Sequence, residues 1–127
     1  MSLGFSMELI KVGVYGTLKK GGSNHHLMAG SQFLGCCQMT RITLYDIGPY
    51  PGAKLCSSEG VDVEVYEVSG QVFDRLDVLE GYISQSPQSG DYDRRQLETS
   101  FGLAWVYLCN FDVTGLPEIR RGGWPIS

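Results

Sequence analysis

Between Val61 and Tyr66 the chain alternates strictly, with Val61, Val63 and Val65 on one side and Asp62 and Glu64 on the other. A period of two over this length fits a strand with one face buried and the other near water. Directly afterwards the period changes. Ser69 is placed to cap a helix, Val72, Phe73, Leu76 and Leu79 recur at helical spacing over Gln71–Leu79, and Gly81 stops the run. A strand that feeds one principal helix restricts the chain to a mixed fold in which that helix covers a sheet.

The remaining segments read mostly as strands. Leu9–Tyr15 places Ile10, Val12 and Val14 on one face, and a Gly-, Lys- and Ser-rich loop follows over Gly16–Asn24. His25–Ala29 fits a short helical turn ended by Gly30. Phe33–Tyr45 is expected to form one long strand bent near Gly35, and Asp46–Gly52 (DIGPYPG) a turn cluster. Ile83–Gly90 is a polar loop. Two last strands, near Arg94–Phe101 and Leu103–Asn110, are joined tightly at Gly102, the second with apolar residues on both faces as in a central strand. The tail from Gly115, broken by Pro117, Gly122, Gly123 and Pro125, is expected to lie over the surface as a loop. The fold class is α+β: a small mixed, mostly antiparallel β-barrel with one principal helix.

The chain has 127 residues, enough for one domain. Met7 can serve as the natural start, since the hydrophobic pattern begins just after it, so residues 1–6 are expected to be extraneous to a single domain over 7–127. The net charge is −4, and the basic residues cluster only as Lys19–Lys20, Arg94–Arg95 and Arg120–Arg121, a poor surface for nucleic acid or anionic membrane. Met1–Ser6 lacks the basic start and apolar middle of a signal peptide, and no apolar run is long enough to span a bilayer, so a cytoplasmic setting is expected. Cys36, Cys37, Cys56 and Cys109 match neither a zinc site nor a secreted disulfide framework, and are expected to be reduced thiols buried as small hydrophobes.

Two places can carry chemistry. Tyr15-Gly16-Thr17-Leu18 follows the first strand, and a glycine-bearing turn there can aim successive backbone N–H groups at one anion such as a carboxylate. It is neither a P-loop nor a dinucleotide fingerprint, and on spacing alone it reads first as a strand-ending turn. Glu80 stands where the helix must stop, facing the negative end of the helix dipole and partly covered by Leu76 and Tyr82. Both effects raise its proton affinity toward that of a general acid/base. Taken alone it also reads as a solvated surface glutamate. Asp77, one turn earlier, reads as an ion-pair partner for Arg94 or Arg95. His25 and His26 lack ligands at metal-binding spacing, a Cys36/His dyad is unmarked, and Trp105 and Tyr107 read as core or pocket wall.

Taken in order, the motifs resemble the γ-glutamyl cyclotransferase-like superfamily, closest to its γ-glutamylamine cyclotransferase branch. Val14-Tyr15-Gly16-Thr17-Leu18-Lys19-Lys20-Gly21, followed by Asn24-His25, is similar to that branch's N-terminal signature. Leu76-Asp77 with Glu80-Gly81 is similar to the helix end that holds the family's catalytic glutamate, Tyr92-Asp93-Arg94 to its Tyr-x-Arg strand, and Ala104-Trp105-Val106-Tyr107 to its final core strand. Ile119–Trp124 resembles the Gly-Asp-Trp ending of bacterial members, with Gly123 in place of the acid.

The resemblance implies a cavity where Tyr15, Gly16, Thr17 and Leu18 bind substrate and Glu80 transfers protons. It implies release of an amine or amino acid from a γ-glutamyl amide with formation of 5-oxoproline, with no cofactor and no metal. A non-catalytic module binding a small carboxylate or a peptide terminus on the same fold is the alternative, and a thiol hydrolase built on Cys36 or Cys37 is a third reading.

Overall fold

The computed structural model describes residues 8–126, so the expectation for residues 1–6 lies outside the described residues. Strand β1 spans Ile10–Val14, and a single 3-10 turn follows at His25–Met28. The strands β2 (Gln32–Met39), β3 (Ile42–Asp46), β4 (Pro51–Leu55) and β5 (Gly60–Val68) come next. Then follow helix α1 (Gly70–Glu80), β6 (Tyr92–Thr99), β7 (Gly102–Cys109), β8 (Glu118–Ile119) and β9 (Arg121–Gly122).

The strands make two sheets. The larger runs β2-β5-β1-β7-β6 with β9 added to β5, and the smaller runs β4-β3-β8. All pairs are antiparallel except β1 with β7 and β5 with β9. The expected barrel is corrected: among the described residues no strand pairing joins the two sheets, and the large sheet ends on β2 and β6. The reason lies in its two apolar faces. Val61, Val63 and Val65 of β5, with Ala104, Val106 and Leu108 of β7, pack against Ile42, Leu44 and Ala53 of the small sheet. Tyr66, Val68, Tyr107 and Cys109 point the other way, onto Val72, Phe73 and Leu76 of α1. A sheet covered on both faces forms the middle of three layers and has no lumen to enclose.

The alternation at Val61–Tyr66 appears as read, with its three valines fully buried and Asp62 and Glu64 partly exposed. The helix starts where Ser69 accepts the Val72 N–H and ends at Gly81, whose φ of 67° suits a residue without a side chain. Leu79 differs from expectation. It is 39 % exposed, because it faces the rim of a cavity and not the core.

Four other expectations need correction. The single strand over 33–45 is two strands in different sheets, since the chain turns the corner through exposed Thr40 and Arg41 after bulging between Phe33 and Gly35. Pro51 and Gly52 leave the turn cluster and open β4, which hairpins onto β3. Gly52 lies against Cys109, where a Cβ would stand 2.8 Å from the sulfur. The tail is stitched down, not loose: β8 and β9 join separate sheets, Ile119 is buried, and Trp124 Nε1 donates to Asp46 at 3.0 Å. Of the cysteines, all free, Cys37 and Cys109 are buried while Cys36 and Cys56 are exposed on outward-facing positions.

Leu76, fully buried at the centre of the helix face, gives a direct test of this packing. Leu76→Ala is expected to lower unfolding free energy by about 2–5 kcal/mol, and Ser69→Ala by about 1 kcal/mol through loss of the cap, both read by urea titration.

Candidate active site

Two elements far apart in sequence converge at one cavity of about 390 Å³, bounded by the Tyr15–Leu18 loop, the Pro49–Pro51 turn, the end of α1 and the start of β6. All five residues singled out in the sequence, Tyr15, Gly16, Thr17, Leu18 and Glu80, line it.

The loop is held by short-range bonds. The Lys19 N–H donates to the Gly16 carbonyl at 3.1 Å, and the Asn24 N–H to the Thr17 carbonyl at 2.9 Å. Asn24 Nδ2 donates to Thr17 Oγ1 at 3.0 Å, and the His25 ring bonds to the Leu18 carbonyl at 2.8 Å. The backbone of Lys20 is tied to Glu64 at 3.0 Å. These contacts use carbonyls and later amides. Among the described residues, the N–H groups of Gly16, Thr17 and Leu18 donate to no protein acceptor. Free amides on successive residues of a turn form a site for an anion. Gly16 is required by close approach, since a Cβ there would lie 2.7 Å from Pro51 Cδ. The side chains at the two ends of the loop point to opposite layers, Tyr15 into the core beneath the small sheet and Leu18 into the core beneath the helix.

Glu80 is the last residue of α1 and is partly buried. Burial pushes its carboxyl from 4.5 up to about 7 through loss of hydration. The surroundings explain why. Three phenols share this region, and each spends its proton elsewhere. Tyr15 donates to the Tyr107 carbonyl at 2.6 Å, Tyr92 to the Pro51 carbonyl at 2.8 Å, and Tyr107 to Asp77 at 2.6 Å. Among the described residues no hydrogen bond or ion pair compensates the Glu80 carboxylate. Burial likewise raises the three phenols, with the Glu80 charge adding to it, so all stay neutral.

Asp77 takes the structural role read for it, and the partner is Arg94. The guanidinium forks onto both carboxylate oxygens at 2.9 and 3.2 Å, with the Phe73, Tyr82 and Trp105 rings 4.2–4.4 Å from its central carbon. Trp105 is therefore wall for the arginine, and Tyr107 is wall for the cavity. The histidines do not gather ligands: no metal-holding group of His, Cys, Asp or Glu exists among the described residues. Neither Cys36 nor Cys37 lines the cavity, which removes the geometric basis for a thiol hydrolase there. Sequence reasoning missed Tyr92, Asp91 and the Pro49–Pro51 turn as cavity residues. Only strand pairing across long separations brings them in, although the aromatic and turn-forming residues themselves were visible.

Comparison with known proteins agrees with this arrangement. The family model described as "Gamma-glutamyl cyclotransferase, AIG2-like" matches residues 12–125. The γ-glutamylcyclotransferase family protein YtfP of Escherichia coli is 33% identical over 115 residues, which cover 91% of this chain and 96% of that protein. The γ-L-glutamyl-butirosin B γ-glutamyl cyclotransferase of Niallia circulans is 36% identical over 116 residues, 87% of this chain and 72% of that one. The crystal structure of PH0828 from Pyrococcus horikoshii superposes with a TM-score of 0.70 at 29% identity, covering 87% of this chain and 86% of that chain. With a match that runs from β1 to the Trp124 tail and takes in both halves of the cavity, the protein belongs to the γ-glutamyl cyclotransferase, AIG2-like family.

Proposed function

We propose that the protein cyclises a γ-glutamyl amide to 5-oxoproline and releases the amine, with Glu80 as the group that moves protons. The observation that supports this most is the meeting of an uncompensated carboxyl, poised at about pH 7, with a loop of free amides in one cavity.

The chemistry follows from the substrate. Its α-carboxylate suits the Gly16–Leu18 amides, which hold an anion without a bulky side chain in the way. Ionised Glu80 takes one proton from the α-ammonium and leaves a neutral amine free to attack the γ-carbonyl carbon. Nucleophile and electrophile belong to one molecule, so holding the chain curled removes much of the entropic barrier. As the new C–N bond forms, the carbonyl oxygen becomes an oxyanion that an N–H donor can stabilise; one such donor is worth roughly 10²–10³ in rate elsewhere. The ring nitrogen loses a second proton as the adduct collapses. Protonated Glu80 delivers the first proton to the departing nitrogen, which leaves as a neutral amine; the regenerated carboxylate takes the proton shed by the ring nitrogen, and the freed amine picks that proton up after cleavage to become an ammonium. A carboxyl with a pKa near the working pH is suited to both halves of this cycle.

Thr17 adds a further donor. Because Asn24 donates to its oxygen, the Thr17 hydroxyl proton is left to point at a ligand in the cavity.

Glu80→Gln is expected to retain the fold and substrate binding while 5-oxoproline formation falls by about 10²–10⁴, measured as released amine from γ-glutamyl compounds; turnover near wild type would remove Glu80 from the reaction. In the unmodified protein, kcat/KM should rise with pH and level off above an apparent pKa near 7, because the base must be ionised in the free enzyme. The same carboxyl sets a stability trend. Its folded-state pKa lies above the unfolded value, so its stabilising contribution is complete below about pH 4.5 and is lost as pH rises through 7. The Tm of Glu80→Gln should therefore gain on that of wild type across this interval, as followed by calorimetry at stepped pH.

A further inference from the structure

We propose that Trp124 is a positioning residue for the reaction: through Asp46 it holds the turn over residues 47–50 and the adjoining Pro51 against the Gly16–Leu18 amides, and so keeps the cavity in its binding shape. This rests on the cyclisation reading above and adds to it a residue outside the cavity.

The turn forms one wall of the cavity, with Pro49, Tyr50 and Pro51 in the lining. It lies directly on the amide loop. A Cβ on Gly16 would stand 2.7 Å from Pro51 Cδ, and the Pro51 carbonyl accepts from Tyr92 at 2.8 Å. The tip has few ties of its own: the Ile47 N–H donates to the Tyr50 carbonyl at 3.1 Å, and the Gly48 N–H to Asp46 Oδ1 at 3.0 Å. Among the described residues no hydrogen bond runs from residues 47–50 to a part of the chain outside this hairpin, and Gly48, Pro49 and Tyr50 are exposed. The direction of the tip is therefore set at Asp46.

Asp46 is gripped from outside the hairpin. Trp124 Nε1 donates at 3.0 Å to the same Oδ1 that accepts from Gly48. Bonds to a carboxylate are among the stronger ones, and this one fixes the group that the turn hangs from. The indole is itself well held. Its ring packs on the core between the two sheets, β9 pairs with β5 just before it, and the Glu59 N–H donates to the Arg120 carbonyl at 2.9 Å. The preceding residue adjoins the amide loop, since a Cβ on Gly123 would stand 3.3 Å from Lys19 Nζ. Gly123 and Trp124 thus touch both sides of the cavity without lining it.

Without the indole donor the tip leaves the amides for part of the time, and only molecules with the turn in place bind substrate. Apparent affinity falls by that fraction, while the bound complex regains its shape and its rate. The loss appears in KM, the reverse of Glu80→Gln, where binding is kept and turnover falls.

The test compares wild type with Trp124→Phe, which keeps an aromatic ring on the core and has no N–H, using γ-glutamylbutylamide. KM should rise about three- to tenfold with kcat kept within about twofold. Asp46→Ala should raise KM likewise, and Asp46→Asn, which keeps an accepting oxygen, should raise it less. Adding Trp124→Phe to Asp46→Ala should change nothing further, because both remove one interaction. Amide hydrogen exchange reads the turn without turnover: Ile47 and Gly48 should exchange faster in Trp124→Phe while Leu44 in β3 stays as in wild type. Faster exchange there and weaker calorimetric binding of γ-glutamylbutylamide, with no amine released by wild type, would sink the cyclisation and leave the hold of Trp124 on the cavity standing. Unchanged exchange at Ile47 and Gly48 would overturn the proposal. So would a lower Tm with KM unchanged, or a loss confined to kcat, since Trp124 would then serve packing alone or act by another route.

Discussion

Arg94 lies between the helix and the large sheet, ringed by three aromatic side chains, with its charge answered by Asp77 one turn before the helix end. Neither group could stay there alone, because an unpaired charge removed from water costs several kcal/mol. Each fixes the other. The fork sets the rotation of the last turn of α1 against β6, and Tyr107, donating to the same carboxylate, adds β7 to the joint. Tyr107 also accepts from Tyr15 through its carbonyl, so the joint reaches to the loop at the end of β1. The separation between Glu80 and the Gly16–Leu18 amides is thus set by a continuous run of charge-assisted and buried hydrogen bonds.

The same joint accounts for the unusual state of Glu80. Structure that satisfied every polar group in this region would have left the glutamate an ordinary acid. Instead Asp77 takes the phenol proton of Tyr107, and backbone carbonyls take those of Tyr15 and Tyr92. The three phenols around the cavity keep their own bonds complete and leave one buried carboxyl without a donor, the condition that raises its proton affinity.

What could be read from the residues divides along physical lines. Val61–Tyr66, Ser69 and Gly81 were legible because each follows from local rules: pleat, cap and left-handed stop. The convergence of Tyr15–Leu18 with Glu80 was legible only through the ordered resemblance, since neither motif exceeds chance by itself. The sheet boundaries were not legible. Phe33–Tyr45 keeps its apolar and β-branched character through the corner at Thr40, so nothing local marks where the chain changes layers. Strand β4 was hidden because Pro51 and Gly52 are turn formers. Pro51 starts that strand and Gly52 is demanded by the sulfur of Cys109, a contact made by a residue more than fifty positions away. The barrel expectation failed for a similar reason. Alternating strands specify buried faces, but whether a second layer or the sheet itself covers them depends on contacts that sequence does not order.

Strand β1 is the first element among the described residues and yet an interior strand, antiparallel to β5 on one side and parallel to β7 on the other. While the nascent chain grows on the ribosome, Ile10–Val14 has neither neighbour until about fifty and then about ninety further residues have been joined to it. An apolar segment with both edges open is a template for mispairing, and closing such long loops is slow. Lys11 within the strand, with Lys19 and Lys20 just beyond it, supplies like charges of the kind that keep two newly made copies apart. Until those neighbours arrive, its own positive charge is what guards strand β1 against mispairing.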